Sequence, residues 1–159
     1  MSVAFTREED YEAQAANLPD RPISPHPNLV TAAGLEAIDA ALADARAAYV
    51  AAQSSGDVQA DRTAMARATR DLRYWSARRA SAQLTAPDPV CGQVQFGRTV
   101  RIARDDGREQ TFQIVGEDEA DPAAGKISYV APLARALLGK TEGDWIEAAG
   151  AGIEILAVL

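Results

Sequence analysis

Two alanine-rich stretches of similar length, interrupted once, constrain this chain more than any other feature. In the first, Leu35, Ile38, Leu42, Ala45 and Tyr49 recur at three- and four-residue steps and draw one apolar stripe. Thr31 stands where an N-cap belongs, and the pattern carries a helix to about Gln53. Ser54-Ser55-Gly56-Asp57 breaks it. A second helix is predicted from about Val58 to Gln83, with Met65, Ala68, Leu72, Trp75, Arg79 and Ala82 in heptad-like alternation. Two such helices joined by a short polar turn make an antiparallel hairpin. Each arm would be about 35 Å long at the helical rise per residue. No further long helix is available to complete a bundle, so the expectation is a free-standing coiled-coil hairpin. Leu42, Leu72 and Trp75 are expected to be buried between its arms.

Charge fits that pairing. Residues 1–56 carry three arginines against eight acids, and residues 57–84 carry six arginines against three acids. An acidic segment followed by a basic one suits helices that lie against each other. Scattered solvated charge would look similar.

Ahead of the hairpin, Thr6-Arg-Glu-Glu9 matches a capping box and predicts a short helix over about 7–17, with Phe5, Tyr11, Ala15 and Leu18 for one face. Pro19, Pro22, Pro25 and Pro27 then preclude helix and predict an extended, semi-rigid tether. His26 lies within it and reads as a surface residue. The acidic opening MSVAFTREEDYE has no apolar core, so no secretory signal is expected.

After Thr85-Ala-Pro87-Asp-Pro89 the pattern turns to β. Strands are predicted at Val94–Phe96, Thr99–Ala103, Glu109–Val115, Lys126–Val130, Asp144–Ala148 and Ile153–Val158. Asp106-Gly107 is a tight hairpin signal, and Ala149–Gly152 is a small-residue turn. Pro132 opens a short helix that Gly139-Lys140 closes. Leu137 and Leu138 are expected to pack on the sheet. The fold class is α+β, with an extension over 1–28, the hairpin over 29–86 and a small β domain over 87–159.

Several classes of function are excluded. The only histidine sits among prolines, so no Ser/His/Asp set can be built. There is neither a GxxxxGK[ST] phosphate loop nor a GxGxxG turn. One cysteine, Cys91, can form no internal disulfide, and one Cys with one His is too few for a dedicated zinc site. A reducing cytoplasm fits, and no apolar run approaches the length of a membrane span. The net charge of −7 argues against general coating of nucleic acid. An autonomous enzyme is not expected, and no resident cofactor. Carboxylates that could help hold a divalent ion remain: Asp57 and Asp61 near the hairpin turn, and Glu117, Asp118, Glu119 and Asp121 in an acidic loop.

The stretch from Ile114 to Lys140, IVGEDEADPAAGKISYVAPLARALLGK, followed by Gly143-Asp144, resembles the C-terminal domain of the Gre family of bacterial transcription elongation factors. The likeness is strong over about 95–159, weaker over 29–83 and absent over the first 28 residues. It implies an FKBP-like β domain with one short helix. It also implies a partner, bacterial RNA polymerase, entered through its secondary channel, with nucleic acid met only through that complex and no membrane.

In this family the hairpin tip carries Gly-Asp and a Glu three residues later, and these acids help hold a second magnesium ion in the polymerase active site. That ion activates water to cleave a backtracked transcript. Here Gly56-Asp57 matches, so Asp57 is the metal candidate, within the polymerase only. The position three later is Ala60, and Asp61 follows one residue on. The resemblance also implies that the acidic loop, with Pro132, Leu133 and Arg135, docks on the rim of the channel. Weak or absent stimulation of cleavage is therefore expected. Three other readings stay open: the Rnk-type regulators, which pair this domain with a shorter hairpin; an FKBP-like partner-binding module or prolyl isomerase; and a purely structural coiled coil. Oligomeric state is left open.

Overall fold

The computed structural model describes residues 18–54 and 58–159, apart from the side chains of 58–61. The predicted helix over 7–17 and the residue Asp57 lie outside the described residues, as does the side chain of Asp61. The chain divides into two compact units, one of the chain up to Pro25 with Ala37–Ser81, the other of His26–Glu36 with Ala82–Leu159.

The helical unit contains most of α1, Ala32–Ser54, and all of α2, Val58–Ser81. Alanine supplies helix propensity, and Arg78 and Arg79 in the last turn of α2 suit the negative end of its dipole. Ile38, Leu42, Ala45 and Ala52 of α1 are buried, as are Ala68 and Arg78 of α2. Arg79 Nε meets Asp39 Oδ1 at 2.6 Å, so the end of α2 lies beside the beginning of α1. With the short connection after Ser54, that makes the hairpin antiparallel as expected. Leu42 is buried, but Leu72 and Trp75 are only half-buried, contrary to expectation. Trp75 packs edge-on to Tyr74 at 4.9 Å rather than being enclosed. A stripe made mostly of alanine leaves a shallow seam that cannot wrap an indole.

Residues 18–28 form neither helix nor strand, as four prolines dictate. They are not a free tether, however. Asp20 pairs with Arg73 at 3.1 Å and Arg21 with Asp71 at 3.5 Å. The Arg21 guanidinium also lies 3.8 Å from the centre of the Tyr74 ring, within cation–π range. His26 is exposed, as expected.

The second unit begins with a two-stranded parallel sheet, β1 (Leu29–Val30) beside β2 (Gln83–Leu84). The second helix was expected to run to Gln83. It ends at Ser81, and Gln83 instead donates its N–H to Asn28 O at 2.8 Å. This pairing ties the residues around Leu29 to those around Gln83, and residues 26–36 fall in the β unit.

A five-stranded sheet follows in the order β5-β4-β3-β7-β6. Its strands are β3 (Thr99–Arg104), β4 (Glu109–Val115), β5 (Lys126–Ser128), β6 (Trp145–Ala148) and β7 (Ala151–Val158). All neighbours are antiparallel except β4 and β5. A register shift between Arg101 and Ile102 interrupts the β3–β7 ladder. Val94–Phe96, expected as a strand, forms none, although Val94 and Phe96 are buried. The short helix α3 is Pro132–Leu137, with Pro132 in its first turn. Its Ala134 and Leu137 are fully buried with Val100, Ile102, Ile114, Ile153 and Ile155, so α3 covers one face of the sheet. Among the described residues no helix is long and apolar enough to cross a membrane.

Candidate functional site

The acidic loop is built by its backbone. β4 ends at Val115, Gly116 follows, and Glu119 N–H returns to Gly116 O at 3.3 Å. Asp121 and Lys126 then exchange a pair of backbone hydrogen bonds, at 2.9 and 3.0 Å, which pinches off a single 3-10 turn at Pro122–Ala124. Gly125 closes that turn with φ of 75°, a left-handed conformation that glycine adopts without strain. The loop is therefore held at both ends, and its carboxylates have defined directions.

Those carboxylates are not equivalent. Asp121 is exposed, while Glu117 and Asp118 are half-buried. Glu119 points inward, with only 8% of its side chain exposed. Its Oε2 accepts the Thr31 hydroxyl at 2.6 Å, and its Oε1 lies 3.3 Å from Lys126 Nζ. Glu119 was expected on the docking surface; in the structure both of its oxygens are used within the unit. Thr31 also caps α1, accepting Gly34 N–H at 3.0 Å. A Cβ on Gly34 would come within 2.6 Å of Glu119 Oε2, so a larger residue there requires that side chain to shift.

At the other end of β5, Ser128–Ala131 turn the chain into α3, where Arg135 N–H bonds Ala131 O at 3.0 Å. Pro132 and Arg135 are exposed. Leu133, also expected on the docking surface, is half-buried and packs against the core. Of the seven expected docking residues, Asp121, Pro132 and Arg135 remain exposed, with Glu117 and Asp118 half-covered between the loop and β4. β4 and β5 are parallel, and Tyr129 N–H bonds Val115 O at 2.9 Å, so the loop leaves β4 at the end where β5 runs on toward α3.

The sequence reading missed Thr31 and Lys126 as the partners of Glu119, and Gly34 and Gly116 as close-approach positions. A glycine at the third position of an alanine-rich helix was the available signal, since alanine would favour the helix more. Of the aromatic side chains of the β unit, Phe96 is buried edge-on to Tyr129 at 5.7 Å, Phe112 packs on the core, and Trp145 is exposed on the edge strand β6. Among the described residues, no three His, Cys, Asp or Glu side chains come together to hold a metal ion.

Comparison with known proteins covers the same domain. Residues 88–158 match the family model described as transcription elongation factor, GreA/GreB, C-term. A transcription elongation factor GreB of Neisseria meningitidis serogroup B is 44% identical over 92 residues, which span 57% of this chain and 56% of that protein. A transcription elongation factor GreA of Hyphomonas neptunium is 56% identical over 69 residues, 42% of this chain and 44% of that one. The chain thus spans about half the length of the curated relatives it matches. The crystal structure of a GreA factor homolog 1 protein of Thermus thermophilus aligns over 84% of this chain and 99% of its own, at a TM-score of 0.40 and 22% identity.

Proposed function

We propose, from the premise that residues 88–158 are a C-terminal domain of the GreA/GreB family, that this chain binds bacterial RNA polymerase and regulates transcription elongation through the secondary channel. The observation that carries this reading is the identity of 44% to a GreB over 92 residues, on a domain whose exposed Asp121, Pro132 and Arg135 flank β5. An exposed proline between charges suits a modest protein interface with a polar rim. The polymerase supplies the chemistry. This chain supplies positioning, and any magnesium it helps hold is held only there, with Asp57 as the candidate ligand.

The tip departs from the family pattern at Ala60. Two-metal phosphodiester cleavage needs its ligands placed to within about half an ångström. One residue along a helix is a rotation of about 100°, so Asp61 does not replace a glutamate at position 60 by simple substitution. The chain accordingly occupies the channel while stimulating transcript cleavage weakly, and it competes with relatives that stimulate it well.

The test is a pull-down against core polymerase at low salt, followed by addition of the protein and magnesium to a backtracked complex with labelled RNA. Retention on the polymerase with little RNA shortening is expected. Failure to bind would sink the reading, and robust shortening would overturn its account of the tip.

A further inference from the structure

We infer that the free edge of β6, with the open face of the sheet beside it, takes up an extended segment of a partner protein that carries arginine or lysine at alternate positions. β6 is the last strand on its side of the five-stranded sheet. Within it, exposed Trp145 and Glu147 alternate with buried Ile146. Glu154 of β7 stands directly opposite Trp145 and is also exposed. Ile146, Ile153 and Ile155 are buried on the face that α3 covers, so Trp145, Glu147 and Glu154 stand on the other face.

Three observations select that occupant. The first is the backbone. Gly143 N–H bonds Ile155 O at 2.8 Å, and Ile155 N–H bonds Asp144 O at 2.9 Å. An antiparallel ladder alternates bonded and non-bonded pairs, so Ile146 turns its backbone groups to Ile153 while those of Trp145 and Glu147 face outward. Lysine, proline or a bulge commonly guards such an edge, and the residues Trp145–Ala148 include none of the three. The second is the indole. Trp145 is 63% exposed. Gly152 makes room for it, because a Cβ there would collide with the indole Cζ2 and with the Asp105 carboxylate. Asp105 is itself held, accepting Gly152 N–H at 2.7 Å. One edge of the ring thus lies against β7, and the rest of the ring stays open to a cation. The third is charge. Among the described residues, Glu147 and Glu154 enter no side-chain hydrogen bond or ion pair. On the same face Arg101 of β3 is occupied, 3.9 Å from Glu109. A basic segment laid along β6 sets alternate side chains about 5 Å from Trp145 and Glu147. A second copy paired edge to edge in the antiparallel sense would instead bring the glutamates of both chains onto one face, which disfavours it. β6 and β5 are opposite edges, four strand spacings or roughly 19 Å apart, so a segment on β6 leaves the loop at 117–121 uncovered.

Calorimetric titration of the full chain with a capped peptide alternating arginine and threonine tests this. Saturable one-to-one binding is expected, at least about tenfold tighter than for the same peptide with glutamate in place of arginine. Replacing the peptide's threonines by proline keeps its charge and removes strand pairing, and should weaken binding at least about tenfold. Trp145→Ala, and separately Glu147→Lys with Glu154→Lys, should each weaken binding at least about fivefold, while thermal melts keep the folded transition, as exposed positions allow. No binding of the arginine peptide would overturn the inference. Equal binding of the proline peptide would overturn it too, by leaving charge alone as the cause, and so would unchanged binding in both variants. A wild-type dimer that Trp145→Ala dissociates would also overturn it, by assigning the edge to a second copy.

Discussion

Thr31 and Glu119, 88 positions apart, hold each other: the threonine hydroxyl donates to Glu119 Oε2 at 2.6 Å while accepting Gly34 N–H at 3.0 Å. One hydroxyl thereby ends a helix and turns an acid of the 117–121 loop inward. Thr31→Val keeps the branched shape and removes both bonds. A lost N-cap costs about 0.5–2 kcal/mol, and stranding a buried acceptor adds about 1–3 kcal/mol. A denaturant melt should therefore show Thr31→Val less stable by about 2 kcal/mol. Glu119→Gln keeps an acceptor for the hydroxyl and should cost less than about 1 kcal/mol. A wild-type midpoint for Thr31→Val would mean that the contact contributes nothing.

Gly116 is the second fixed point of this region. A Cβ there would collide with the carbonyl oxygen of Leu29, a backbone atom held in the β1–β2 pair. At Gly34 the obstacle is the end of a side chain, which can move. Gly116→Ala should accordingly cost about 1–3 kcal/mol through overpacking, more than Gly34→Ala, whereas Gly92→Ala meets nothing within 4 Å and should be close to neutral. Thermal melts of the three variants check that order, and equal midpoints would contradict it.

The legibility of this chain follows the range of the interactions. The helices, their break, the Thr31 cap and the Pro132 start were readable because each is set by residues a few positions apart. The parallel β1–β2 pair was not. It joins Leu29 to Gln83 across the whole hairpin, and Gln83 and Leu84 are both exposed, so no apolar alternation marks the strand. Glu119 looked like its neighbours Glu117 and Asp118 because nothing local distinguishes an acid that turns inward to a distant hydroxyl. The partial burial of Leu133 was not readable either: a six-residue helix has too few residues to show which side faces the sheet, and its buried residues are Ala134 and Leu137.

Trp75 tests the hairpin seam. A fully enclosed aromatic truncated to alanine costs about 3–5 kcal/mol. Trp75 is half-buried, with an edge-on contact to Tyr74 at 4.9 Å and the Arg21 guanidinium 5.3 Å from its ring centre. Trp75→Ala should cost about 1–3 kcal/mol, below that range. Arg21→Ala should cost about 0.5–1 kcal/mol, as a partly exposed cation–π contact does. A loss above 4 kcal/mol for Trp75→Ala, followed by the helical signal on heating, would show the indole more enclosed than the geometry gives.

Ala149 offers a gain. It links β6 to β7 with φ of 53°, a left-handed conformation, and Gly150 follows at 73°. Two positive angles in a two-residue loop favour Asn-Gly, while alanine in that region is disfavoured by roughly 1–2 kcal/mol. Ala149→Asn should raise stability by up to about 1 kcal/mol. An unchanged or lower melting temperature would count against strain at this turn.

The tip yields the prediction with most bearing on function. If Ala60 is what limits transcript cleavage, Ala60→Glu restores an acid three residues after Asp57, the spacing of the family pattern. Mutating groups that merely orient metal ligands commonly costs 10–100-fold in affinity or activity, so a restored direct ligand should raise cleavage on the order of tenfold or more. Binding to core polymerase should stay unchanged, because the substitution adds nothing to the loop or to α3. Asp57→Ala should remove the gain in the Ala60→Glu background. Asp61→Ala in that background should leave the gain in place, since Asp61 stands one residue out of register. Single-turnover cleavage of a labelled transcript in a backtracked complex reads all three. If Ala60→Glu cleaves no faster than wild type while binding as tightly, the missing acid is not what limits the reaction. If the gain also survives Asp57→Ala, the two positions do not share an ion.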